Sequence, residues 1–591
     1  MVKNMFLKKR HLEIIKLINE NNKNNIINNI EQIKDKLPED FANRIIELNI
    51  LDLITNENNI ISLTENGKKL LEVINNVNLD NIPDIFVNSE IIKIMELFNE
   101  TNYIPNNWLE LLKERQLIGE NNNLNTNGKT ILEIYNNSHP TIYLTKDILS
   151  FIKGMPKIGL YSKLISYKDS KGAGENILNA LEAMRLIIIS PTTEKGKAFT
   201  ITKAFSDTLK IAQIIPDNVP VIILNTNDFE MLNQGKTTKN TENIGYFKEN
   251  NKNEINELGQ NIINMYNNII IGKTTSVKIT PIYVLDSEIR TLNAIKDIEE
   301  KYKTNPEVIP TYNRIHKITE LEDLGELLNL MLSKELIIQK VVNNKDSYWL
   351  TNYGKEIINY GAVSTDGVKA ITYPKSGDVP IAEWVIKGEE EGTVKGGITE
   401  KGKFLINMSK SISRKPYLTK YDVAILLKLP TKKYIVKNEL INNIKEYIGD
   451  SEENILKAIG ECEYKGLIVE LQNKCIKLTN LGYEIKEAIE LAKTQELLNT
   501  KFAITPTTFK ILETIYNNRK EFDKVWKEKT EGKGKEHKEN EIILLAKLLK
   551  LTITIDEIKK SLVILKNTGF IGKKGLTKSG IKLIEGYNMI N

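Results

Sequence analysis

The chain has 591 residues, with 82 Lys plus Arg, 77 Asp plus Glu and 41% hydrophobic residues. That length exceeds one hydrophobic core and argues for several domains, on the order of four. The excess of five positive charges, 82 − 77, is too small and too dispersed for a dedicated nucleic-acid protein.

The N-terminal stretch "MVKNMFLKKRHLEIIKLI" is basic and then apolar, but His11, Glu13 and Lys16 interrupt it, so it is not the apolar core of a signal peptide. No uninterrupted apolar run approaches the roughly 20 residues that cross a bilayer. Two cysteines, Cys462 and Cys475, are too few for a secreted disulfide framework. A cytoplasmic protein with no membrane contact is expected.

The first recurring element is "LTENGKKLLEVI" at Leu63, with Thr64 as expected N-cap and Gly67 at the third helical position. The same entrance recurs at Gly128, Gly196, Gly259, Gly354, Gly402, Gly482 and Gly580. Three residues earlier stand Asn125, Thr193, Asn256, Thr351, Thr399, Thr479 and Thr577. Apolar residues follow on one helical face, as in Leu70, Leu71 and Ile74, or Leu583, Ile584 and Tyr587. The copy at Gly196 departs from this, with Thr200 and Lys203 at apolar positions. A glycine in the first turn lets another backbone approach it.

Before the entrance, "LDLITNENNIISLT", "ELIIQKVVNNKDSYWLT" and "KGLIVELQNKCIKLT" read as β-hairpins turning at Asn58-Asn59, Asn343-Asn344 and Gln472-Asn473. An amphipathic helix precedes each. A proline, a short apolar run, an N-cap and an acid open further stretches at Pro83, Pro140 and Pro281, with Asn88, Thr145 and Asp286 as caps. Pro416 opens a shorter version.

Each stretch therefore reads as three helices, a hairpin and a capped closing helix: mainly α with short β-hairpins, an α+β tandem array of winged-helix-like modules. The expected boundaries are 1–78, 79–139, 140–215, a divergent 216–279, 280–362, a short degenerate β-rich unit 363–415 that includes an acidic wing "KGEEEG", 416–500, and 501–591 with a charged insertion, Asp523 to Glu541. The run from "GLI" through a polar turn to "LTxxGxxL" resembles the wing of MarR-like winged helix-turn-helix regulators, best in Gly466 to Ile485 and Gly569 to Ile584. The repetition along the whole chain is also similar to an uncharacterised archaeal family of such repeats, which implies no activity.

Motifs for chemistry are sparse. His11, His139, His316 and His537 have no ligand spacing, and the two cysteines lack the further ligands of a zinc site. No metal and no cofactor is expected. "GKTT" at Gly235 and Gly272 lacks the earlier glycine of a phosphate loop, Glu230 and Asn267 standing in its place. "KGAGEN", Lys171 to Asn176, reads as a connection between helices rather than an anion site. No nucleophile–base pattern emerges, so an enzyme is not expected.

Winged helices place their third helix in the major groove, which demands a positive face. The third helices within Pro38–Asp52, Glu320–Glu335 and Ser451–Lys465 are acidic instead. Only the last stretch is basic, through Lys559, Lys560, Lys566, Lys573 and Lys574, with Lys113 and Arg115 a weaker second place. The expected function is a non-catalytic scaffold that binds protein partners or itself. The alternatives are a DNA-binding regulator using its terminal modules, with weak duplex binding, and an enzyme with a site at a module junction.

Overall fold

The computed structural model describes residues 6–588 apart from 21–25, 28–40, 58–59, 140, 175, 216–220, 239–240, 242–244, 249–250, 272–276, 279–281, 374–378, 531–539 and 551. The expected turn at Asn58-Asn59, the prolines Pro140 and Pro281, the second "GKTT" and His537 lie outside the described residues. The fold is mainly helical, with small sheets of two or three strands. The chain divides into two compact units, Met1–Lys278 with Lys369–Thr399, and Ile279–Val368 with Glu400–Asn591. Among the described residues no helix is long and apolar enough to cross a membrane.

One hydrogen-bonded clasp recurs along the chain. In the second unit, helix Glu452–Tyr464 ends at Gly466, whose φ of 72° turns the backbone out of the helix. The next residue, Leu467, leads into the hairpin Ile468–Glu470 and Cys475–Leu478. Thr479 then returns to the start of that hairpin. Its N–H donates to the Leu467 carbonyl at 3.0 Å and its hydroxyl donates to the Gly466 carbonyl at 2.6 Å. The same hydroxyl accepts from the Gly482 N–H at 3.0 Å, capping helix Asn480–Leu491. One side chain thus ends one helix, aligns the hairpin and starts the next helix.

The same bonds hold Thr64 to Asp52 and Leu53, Thr351 to Glu335 and Leu336, and Thr577 to Gly569 and Phe570. Asn125 and Asn256 substitute an amide, which donates to Gln116 and to the Gly245 carbonyl. The turning residues Asp52, Gln116, Gly245, Glu335 and Gly569 all have positive φ. Glycine is required by contact: a β-carbon on Gly482 would stand 1.8 Å from the Leu467 carbonyl oxygen, and one on Gly354 would stand 2.1 Å from that of Leu336.

Two positions differ from the sequence expectation. Gly196 does not open a helix; with φ 101° it closes a turn back to Thr193. The cap of that stretch is Thr202, which donates to Arg185 and Leu186 and opens helix Lys203–Ile214, with Phe205 where the others have glycine. The Phe205 N–H reaches Thr202 at 3.4 Å instead of about 3.0 Å, consistent with a β-carbon that must be accommodated. The cap of helix Asp286–Thr304 is Leu285 rather than Asp286, the Glu288 carboxylate accepting the Leu285 N–H at 2.8 Å.

The stretch expected to be short and β-rich is mainly helical, through Thr365–Lys369, Ala382–Glu390 and Glu400–Ser411. "KGEEEG" ends the second of these helices and is not a wing. The clasp persists there, Thr399 donating to the Gly392 carbonyl at 2.6 Å. The charged segment begins as helix Arg519–Thr530, anchored by buried Phe522 and Trp526; residues 531–539 lie outside the described residues.

Closing helices pack in pairs: Glu65–Asn76 on Thr126–Asn137, Lys203–Ile214 on Glu257–Ile271, and Asn480–Leu491 on Lys578–Asn588. Tyr353 and Tyr360 meet Phe404 in a fourth pair, Asn352–Tyr360 with Glu400–Ser411. Opening strands pair in step with three of these. Leu7–Lys8 runs antiparallel to Ile85–Val87, Ile142–Thr145 to Val221–Leu224, and Leu418–Thr419 to Phe502–Ile504. Val284 and Val363 bridge likewise beside the fourth pair.

Alanine ordinarily favours a helix over glycine by about 1 kcal/mol. At the clasp the order should invert: Gly482→Ala should destabilise the protein by about 1–3 kcal/mol through overpacking. Gly397→Ala, where a β-carbon meets nothing within 4 Å, should stay within about 0.5 kcal/mol. Urea titration followed by circular dichroism reads both. A Gly482→Ala variant as stable as the parent would show that close backbone approach is not why glycine stands there.

Candidate functional site

The basic residues of the last stretch lie on two neighbouring elements. Lys559, Lys560 and Lys566 sit on helix Ile555–Asn567, Lys559 half-buried and the other two exposed. Lys573 and Lys574 are exposed at the turn between Ile571–Gly572 and Gly575–Leu576. The helix face that carries Lys560 and Lys566 also exposes Val563, at 57% of its surface. The start of this helix is engaged within its own unit: its cap, Thr554, donates to Asp346 at 2.8 Å, on hairpin strand Lys345–Leu350. Burial and the nearby Asp346 raise the Glu557 carboxyl. In the second candidate Lys113 is exposed, but Arg115 is buried and donates to the Leu111 carbonyl at 2.8 Å.

The third helices pack into their own units, with Glu47 and Glu461 buried and Asp323, Glu452 and Glu453 exposed. In the first unit, Phe41–Ile50 packs against Asn176–Ala183, and Arg44 reaches the Asn176 side chain at 3.4 Å. Beside them opens a cleft of about 950 Å³, lined by Glu47, Tyr143, Lys153, Lys171, Gly174 and Asn176. "KGAGEN" therefore joins two helices, as expected, and also borders this cleft. In the second unit, Leu324–Ser333 and Glu452–Tyr464 both line a cleft of about 440 Å³, through Asp323 and Glu326 and through Asn454, Lys457 and Glu461.

The two clefts use the same positions. Asn176, Ile177 and Ala180 lie nine, eight and five residues before the turning residue Arg185. Lys457, Ala458 and Glu461 lie nine, eight and five residues before Gly466. Thr145 and Thr419, caps of equivalent opening helices, line them too. Sequence charge alone missed this packing. A signal existed in "LGELLNLMLS", whose polar face is narrow and carries Glu326 and Asn329 among leucines.

Acids around these helices are held in buried networks. Glu288 and Lys334, both fully buried, pair at 2.8 Å, with the ammonium 3.8 Å from the Tyr283 ring centre. Asp422 pairs with Lys465 at 2.5 Å and accepts from the Cys462 thiol at 2.9 Å, which together with burial holds that thiol protonated. Both cysteines are buried and neither forms a disulfide. Among the described residues no three His, Cys, Asp or Glu side chains form a group able to hold a metal.

Glu47, beside the first cleft, is shared by Arg44 and His11, the latter at 2.7 Å. The His11 Nδ1 accepts from the Lys8 N–H at 3.1 Å, so Nε2 carries the proton that Glu47 receives. Burial lowers the His11 pKa more than Glu47 raises it. Burial raises Glu47, but His11 and Arg44 outweigh it and leave a lowered value. His11 thus stays neutral in the fold while the unfolded chain takes up a proton below about pH 6.5. Stability should fall as pH drops through that value, by at most about 1.4 kcal/mol per pH unit from this group. His11→Gln should flatten the slope between pH 7.5 and 5.5. Equal slopes in parent and variant would mean that His11 is protonated in the fold.

The family model described as "Protein of unknown function (DUF505)" matches the chain twice in tandem, over residues 5–322 and 318–587. The uncharacterized protein MJ1355 of Methanocaldococcus jannaschii is 57% identical over 583 residues, covering 99% of each chain. No solved structure matches. The two clefts at matching positions accord with a tandem family match. The chain belongs to the DUF505 family, as two tandem copies of its model.

Proposed function

We propose that this protein is a non-catalytic, cytoplasmic scaffold of eight winged-helix-like modules, paired two by two, that binds protein partners or itself. The carrying observation is the orientation of the third helices. In a DNA-reading winged helix this element lies free for the major groove. Here Phe41–Ile50, Asn176–Ala183, Leu324–Ser333 and Glu452–Tyr464 border clefts of their own units; Glu47, Glu182 and Glu461 are buried, and the acids that stay exposed, Asp323, Glu452 and Glu453, would repel phosphate. The non-catalytic reading rests on commitment of perturbed groups: Glu47, Lys334 and Lys465 each serve an ion pair within the core. The buried reduced thiols suit a reducing compartment.

Duplex DNA binding is assigned to the lysines of the last stretch. Binding should be weak, lose affinity steeply with salt and show little sequence preference. Replacing Lys559, Lys560, Lys573 and Lys574 with Glu should abolish it and leave the fold intact. Fluorescence-anisotropy titrations with random and genomic duplexes at several salt concentrations measure this. Tight, sequence-selective binding at physiological salt would overturn the scaffold reading.

A further inference from the structure

Within the second unit, the cleft of about 440 Å³ adjoins a smaller cavity of about 210 Å³, and the two share Asp323, Glu326, Lys457 and Glu461. Glu326 comes from helix Leu324–Ser333 and Glu461 from helix Glu452–Tyr464, so two third helices bring carboxylates to one space. The smaller cavity adds Glu322 and an apolar wall of Leu285, Leu321, Leu327 and Leu330.

Four acids line the joined space, Glu322, Asp323, Glu326 and Glu461, against three lysines, Lys420, Lys457 and Lys501. Two of these lysines are engaged. Lys501 pairs with Asp323 at 2.9 Å and also feels Glu326, and Lys420 reaches Asp450, which lines neither cavity, at 3.5 Å. Glu322, Glu326 and Glu461 remain against Lys457, an excess of two negative charges. Lys457 is exposed and acts on Asp323 and Glu461 from a distance, without closing an ion pair on either.

Glu461 is the informative member. It is 5% exposed, and among the described residues no group donates a hydrogen bond to its carboxylate. The cation beside it is Lys465, at 4.0 Å, which Asp422 holds at 2.5 Å. Burial raises the Glu461 carboxyl; Lys465 and Lys457 oppose the rise, and Asp422 and Glu326 add to it. The same field reaches Tyr417, whose phenol is raised by burial first and then by Glu326 and Glu461. A buried carboxylate without a hydrogen bond is costly and calls for a donor.

We propose that this joined space binds an aliphatic diamine. One ammonium sits between Glu326 and Glu461, the methylene chain lies along Leu327 and Leu330, and the second ammonium reaches Glu322 at the exposed end. Two positive charges match the excess of two carboxylates. An ammonium donates three hydrogen bonds without demanding the closed oxygen shell of a divalent metal, which the described residues do not form, and the leucines suit a methylene chain.

Isothermal titration of the full chain with putrescine, and in parallel with butylamine and with magnesium chloride, tests this. Saturable putrescine binding is expected, weakened about tenfold in Glu461→Gln and in Glu326→Gln. Glu452→Gln, at an exposed acid of the same helix outside both cavities, should leave it unchanged. Butylamine, with one charge, should bind more weakly. Glu326 is half-buried, so Glu326→Gln carries the test if Glu461→Gln fails to fold; the melting temperature of each variant decides that. No saturable binding up to millimolar putrescine, unchanged affinity in Glu326→Gln, butylamine binding as tight as that of putrescine, or tighter binding of magnesium than of putrescine would each overturn the assignment.

Discussion

A single hydroxyl or amide, placed between two backbones, organises each recurring stretch. A helix that ends in a left-handed residue leaves carbonyls without partners, and a helix that begins leaves N–H groups without partners. Thr479 serves both needs, donating to Gly466 and accepting from Gly482. Because both ends of the hairpin are tied to one residue, the closing helix leaves in a fixed direction. Packing of closing helices in pairs, and of opening strands beside them, depends on that direction. Glycine in a first turn costs helix propensity, but here it admits a carbonyl at a distance no side chain tolerates.

Much of this was legible because the clasp is local. Cap, glycine and hairpin lie within a span of about fifteen residues, and the required residue types are few. The misreadings have the same origin. Thr193 and Gly196 carry the right letters at the right spacing, but a tight turn selects the same residues as a helix cap. The working cap, Thr202, was hidden because Phe205 occupies the glycine position. The short interval from Gly354 to Gly402 left little room for three helices and suggested a β-rich unit, yet Trp384 and Val385 bury one face of a helix.

The acidic third helices show what charge counting cannot supply. A run of acids is compatible with a solvated face that repels phosphate and with a buried face whose charges are paired. Glu452 and Glu453 are of the first kind, whereas the lysines that follow these helices, Lys334 and Lys465, are buried against Glu288 and Asp422 of the opening helices, and breaking such a pair leaves an uncompensated charge that costs about 3–5 kcal/mol. The partners are 46 and 43 residues apart, so neither pair is visible as a sequence motif.

The central claim is that the third helices are packed elements of their own units, each buried along one face, rather than free readers of DNA. Native-state hydrogen exchange of the full chain, resolved by mass spectrometry over peptides spanning 324–333 and 452–464, tests it most directly. Buried helices exchange through the larger openings of the structure. Both peptides should therefore be protected as strongly as the closing helix 480–491, and more strongly than 555–567, whose Lys560, Val563 and Lys566 face solvent. Exchange of 324–333 and 452–464 at the rate of 555–567 or faster would contradict the packed placement of these helices.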